Sequence, residues 1–105
     1  MSELSLKYYV SISKGNTELL NTFKALLLSD FKSMDVSFFL AVEGHNVAAM
    51  REQLHKISPI AFNLNFSQML ELIERYRCCD PEEFDKLHVE MKICLTKIYD
   101  FLKPD

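Results

Sequence analysis

A chain of 105 residues has room for one domain, and its 49% of apolar residues are enough for a single core. The net charge is −3 and the basic residues are scattered singly, which leaves no electrostatic footprint for nucleic acid or for an anionic membrane surface. With only two glycines and three prolines there are few places to turn, so long periodic segments must fill the chain and the expected class is all-α.

The opening Met1-Ser-Glu-Leu-Ser-Leu-Lys7 lacks a basic stretch followed by an apolar one, so it does not read as a signal peptide. No apolar run approaches the roughly 18 residues needed to span a bilayer. Cys78, Cys79 and Cys94 are an odd set with two adjacent members and no C-x-x-C spacing. They are expected to be reduced thiols of a cytoplasmic protein.

Residues 6–12, Leu-Lys-Tyr-Tyr-Val-Ser-Ile, alternate loosely but have no partner strand, so a short helix or an extended packing arm is expected. Ser13–Asn16 is a turn, and Asn16 or Thr17 is a good N-cap with Glu18 suited to the helix dipole. A long helix follows. Its stripe is Leu20, Phe23, Leu27, Met34, Phe38 and Ala41, broadened by Leu19, Leu26, Phe31 and Val42, and Gly44 is expected as the C′ residue. Asn46 caps the next helix, whose stripe is Val47, Met50, Leu54, Ile57, Ala61 and Leu64. Pro59 lies within that helix, where its ring crowds the carbonyl of His55 and predicts a kink. Asn63 or Asn65 can adopt the left-handed conformation at its end.

A further helix runs from about Phe66 or Ser67 to Tyr76, with Phe66, Met69, Leu70, Ile73 and Tyr76 inward. Cys78–Asp80 is a loop, and Pro81 suits the first position of the last helix. That helix buries Phe84, Leu87, Met91, Cys94 or Leu95, Ile98 and Leu102, and stops at Pro104. Four amphipathic helices with short turns, preceded by a short helix or arm, predict an antiparallel up-down four-helix bundle over residues 1–105.

His55 stands out. It follows Leu54 by one residue and is therefore rotated about 100° off the apolar stripe. A rigid helix then presents an imidazole at its shoulder, as a nucleophile or proton acceptor and not as an obvious core group.

The residues around it resemble the histidine-containing phosphotransfer (HPt) domain of multistep two-component phosphorelays, of the kind found in bacterial hybrid sensor kinases. Leu54-His55-Lys56-Ile57 resembles the family's A-H-x-L core, and Val42-Glu-Gly-His-Asn46 its small polar turn before the active-site helix. Ser13–Leu20 looks like the turn and helix start upstream, and the similarity in element order covers roughly residues 8–100. The family motif H-x-x-K-G differs here: Ser58 stands at the lysine position, Pro59 at the glycine position, and Asn65 where a later glycine is usual.

The resemblance implies that His55 accepts a phosphoryl group from a receiver-domain aspartate and passes it to another receiver. The chain would then be a phosphoryl carrier without autonomous catalysis and without a cofactor, because the receiver supplies Mg²⁺ and a lysine. Its partners would be response-regulator receiver domains and a hybrid sensor histidine kinase, with no nucleic acid and no membrane, and the chain a monomer. Arg51, Lys56 and Ser58 are the candidate phosphate environment: the two cations stand in for the missing lysine, or are solvated surface charges. Ser58 offers a hydroxyl to phosphate or to the imidazole, or bonds back to a helix carbonyl. Ala48, Glu52, Pro59 and Phe62, with Ile60, are candidates for partner docking. An adaptor that docks receivers without accepting phosphate is the alternative.

Glu52-x-x-His55 and Asp85-x-x-His88 also carry the spacing of a di-metal four-helix bundle. Facing them inward would turn Leu54 and Ile57 outward, so no metal is expected. Neither His45 nor His88 is assigned a role.

Overall fold

The computed structural model describes residues 4–103. Helix α1 covers Lys7–Ser13, α2 Thr17–Glu43, α3 Val47–Asn63 and α4 Ser67–Cys78; a 3₁₀ turn at Pro81–Glu83 then runs into α5, Phe84–Leu102. Among the described residues there is no strand. Residues 6–12 thus fall largely in a short helix, one of the two forms expected for them. The expected stop at Pro104 lies outside the described residues.

The helix starts follow local chemistry. The Asn16 side chain accepts a hydrogen bond from the Leu19 N–H, and Asn46 accepts one from the Ala49 N–H, both at 3.0 Å. Each satisfies one of the donors a helix start leaves unpaired.

The helix ends correct one expectation. Gly44 is not the left-handed residue that closes α2, since its φ is −84°. His45 takes that conformation, at φ 53°. Its N–H donates to the Val42 carbonyl, and the Asn46 N–H donates to the Ala41 carbonyl at 2.9 Å. This is a Schellman closure with His45 at C′, one residue later than the glycine suggests. Histidine is among the few types enriched in this region. The α3 end repeats the device with Asn65 at φ 58°: its N–H donates to Phe62, and the Phe66 N–H donates to Ala61. Asn63, the other candidate, stays helical. Pro81 opens the 3₁₀ turn instead of α5 itself. α3 continues through Pro59 as far as Asn63.

α2 packs on α3 and α5, and α4 packs on the same two, so these four helices close a ring around one core; α1 lies against α2. Phe31, Phe38, Leu64, Phe66, Met69, Ile73, Tyr76, Met91, Leu95 and Ile98 are fully enclosed in it. Two apolar assignments change. Leu19 and Leu26, expected to broaden the α2 stripe, are exposed, because the neighbours of α2 cover only one side of it. On α4, Leu72 is buried and Leu70 only half so. This helix fills the gap between α3 and α5, and adjacent residues on it both reach the core.

Candidate functional site

α3 has two unlike faces. Met50, Leu54, Ile57 and Ala61 point into the core, at the three-and-four spacing of a helix stripe. Ala48, Arg51, Glu52, His55, Pro59 and Phe62 lie on the outer side, all exposed. The contrast is sharpest between neighbours: Leu54 is 2% exposed, while the next residue, His55, is open to solvent. The N-cap at Asn46 and the buried stripe hold the backbone, so the imidazole is presented from a fixed platform.

Phe62 lies two turns beyond His55 on this side and is 73% exposed. It contributes nothing to the core and leaves an apolar side chain exposed on the same side of α3 as the imidazole. Pro59, between them, has no N–H, so the His55 carbonyl lacks its usual helix donor four residues on.

The two candidate cations are not equivalent. Lys56 Nζ is 3.5 Å from Glu52 Oε1, an exposed pair one turn apart on the surface of α3. Arg51, one turn before His55, has no ion pair among the described residues. Its charge instead reaches across to Cys79 at the start of the α4–α5 connection. There it pulls the thiol's proton affinity down, against the larger effects of burial and of Glu83, which raise it. Ser58 is half-buried and makes no side-chain hydrogen bond among the described residues, so the back-bond open to it from sequence is not formed.

The other flank of α3 borders a groove of about 320 Å³ shared with α2, lined by Asp30, Ser33 and Ser37 on one side and Gln53, Lys56 and Ile60 on the other. Lys56 sits at its edge. Ile60 faces this groove and is half-buried, so it does not extend the apolar surface around Phe62.

The two His-carboxylate pairs do not converge. Glu52 and His55 are exposed on α3 and Asp85 is exposed on α5, while His88 is wedged between aromatic rings of α2, α4 and α5. Among the described residues no group of three or more His, Cys, Asp or Glu side chains could hold a metal. No described helix is long and apolar enough to cross a membrane.

Sequence periodicity missed two polar arrangements. The Tyr99 hydroxyl donates to Asp35 Oδ2 at 2.9 Å, and Lys92, lying over the Phe39 ring, approaches Asp35 Oδ1 at 3.3 Å, tying α5 to α2. His88 is the second. Neither carries a local signal, because each exists only once α2 and α5 are side by side.

No family model matches the chain, and no match is found among curated proteins or solved structures.

Proposed function

We propose that the chain is a phosphorelay intermediate of the HPt type, an antiparallel up-down four-helix bundle that accepts a phosphoryl group on His55. The observation that carries the reading is the placement of that imidazole: exposed in mid-helix next to a buried leucine, with an arginine one turn away that has no ion pair among the described residues and an exposed phenylalanine two turns on. Three-residue links between α2 and α3, and between α3 and α4, join helices that pack on each other, which favours the antiparallel arrangement.

In the proposed step a neutral imidazole nitrogen attacks the phosphorus of an aspartyl phosphate on a receiver domain. The N–P bond forms as the aspartyl O–P bond breaks, and the carboxylate leaves. The transition state is loose, so positioning and charge matter most. The receiver supplies Mg²⁺ and a lysine. This chain supplies the nucleophile, the Arg51 charge and, through Ala48, Glu52, Pro59 and Phe62, a docking surface. Lys56 is held by Glu52 and Ser58 carries no charge, so Arg51 is the cation best placed to compensate for the lysine absent from the motif. The partners are receiver domains and a hybrid sensor histidine kinase, and the chain works as a cytoplasmic monomer.

The adaptor reading draws on Ser58 and Pro59, which replace the motif's lysine and glycine. One experiment separates the two. Incubation with a phosphorylated receiver and Mg²⁺ yields an acid-labile, base-stable phosphoryl group on His55 if the chain is a carrier. A complex without labelling indicates an adaptor.

A further inference from the structure

We propose that His88 is an acid-sensitive latch: its neutral ring holds together the corner where the α2–α3 turn meets the 3₁₀ turn, and protonation of that ring opens it. The side chain is 15% exposed and ringed by Phe38 and Phe39 of α2, Tyr76 of α4 and Phe84 of α5, with ring centroids 5.9, 5.9, 6.1 and 6.4 Å away. Its two nitrogens meet different surroundings. Nδ1 lies 3.8 Å from Oδ1 of Asp85, which is itself in solvent. Nε2 is buried and has no hydrogen-bond partner among the described residues.

The neutral ring fits this setting with its hydrogen on Nδ1, toward the carboxylate, and a bare lone pair on Nε2. Protonation adds an N–H at Nε2, which has no hydrogen-bond partner among the described residues, and puts a charge among aromatic rings.

The other groups around the ring offer little relief. α2 presents Phe38, Phe39 and Val42, and α4 presents the Tyr76 ring, whose hydroxyl is buried without a hydrogen-bond partner among the described residues. The α3 side of the adjoining cavity is apolar, Val47 and Met50, and the turn brings His45, a second basic group. On α5, Lys92 is one turn away and already committed to Asp35. Asp85 alone opposes the effect, from a fully solvated position. Burial accordingly lowers the proton affinity of His88, with Asp85 partly offsetting it.

The charged ring has one way out. A cavity of about 140 Å³ lies beside it, bounded by Val42, His45, Val47, Met50, Phe84 and Asp85. Two of its walls are His45 of the α2–α3 turn and Pro81, the first residue of the 3₁₀ turn, in short connections that open before regular helices do. The folded chain binds this proton less readily than the unfolded one. Stability is therefore lost as pH falls below the unfolded value of about 6.5.

The test combines three measurements on the full chain. In an NMR titration the His88 ring should titrate below the ordinary histidine value of about 6.5. Between pH 7.5 and 5.5 the unfolding constant of the wild type, read from urea titrations, should rise as pH falls, by at most about tenfold per pH unit, the limit for one proton taken up on unfolding. His88→Phe, which keeps a ring in the cage, should lose that dependence. Hydrogen exchange, corrected for intrinsic rates, should accelerate at pH 5.5 over residues 42–50 and 79–88 in the wild type only. The proposal is overturned if His88 titrates at or above about 6.5, as a cation-stabilising cage would make it. Acid sensitivity that persists in His88→Phe, or exchange that accelerates uniformly along the chain, also overturns it. Should the variant fail to fold, the wild-type titration and exchange pattern decide alone.

Discussion

Leu54 and His55 are adjacent on one helix, and the proposed function requires opposite consequences from altering them. Leu54 is 2% exposed in the core. Truncation to alanine removes a buried isobutyl group and leaves a cavity, at a cost of about 3 kcal/mol within the roughly 2–5 kcal/mol seen for such changes. Unfolding of a chain of 105 residues carries an entropy near 0.2 kcal/mol per kelvin, so Leu54→Ala should lower Tm by roughly 14 °C. His55 is exposed and makes no hydrogen bond or ion pair with the described residues. His55→Gln should therefore change stability by less than about 0.5 kcal/mol, roughly 2 °C. Phosphoryl labelling from a phosphorylated receiver should behave the other way. It should vanish in His55→Gln and persist in Leu54→Ala below that variant's melting temperature. Circular dichroism melts and labelling on the same preparations read both quantities. Labelling that survives in His55→Gln refutes the assignment of the acceptor. A melting loss in His55→Gln comparable to that of Leu54→Ala refutes the description of His55 as a presented residue.

Other expectations are narrower. Arg51→Ala should slow phosphotransfer about threefold to tenfold, and Lys56→Ala by less, because Lys56 is already held by Glu52; equal effects in single-turnover labelling would remove the distinction. With a thiol-reactive disulfide reagent, Cys78 should react readily in the native protein. Cys94 should react only on unfolding, since it is fully enclosed and burial pushes its pKa up to about 11; fast labelling of all three cysteines would contradict the packing of α5. Asn46→Ala should lower stability by about 1 kcal/mol in a urea titration through loss of the α3 cap, while Asn46→Asp should retain most of it.

Much of the architecture can be read along the chain because it rests on local rules. Asn16 and Asn46 announce helix starts, since their side chains compete for free N–H groups wherever they occur. The buried positions of α5, from Phe84 to Leu102, follow helical spacing alone, and both Cys94 and Leu95 prove to be inside. The outward position of His55 follows from its offset against Leu54. Local rules failed where a decision belonged to a turn. His45, not Gly44, takes the left-handed conformation, because the hydrogen bonds from the His45 and Asn46 N–H groups to Val42 and Ala41 settle which residue is C′.

The order of residues along the chain was enough to establish that it is helical, where most of its helices begin, and that α3 holds His55 away from the core. Those are questions of period and of short-range hydrogen bonding. Only the packing of the helices settles that Leu19 and Leu26 stay in solvent, that Phe62 is surface, that Lys56 leans on Glu52 while Arg51 has no ion pair among the described residues, and that His88 is caged. Periodicity identifies the apolar side of a helix but not how many neighbours cover it. The surroundings of His88 come from three helices whose cage-forming residues are as many as 50 positions apart, from Phe38 to His88, and no local pattern encodes that meeting.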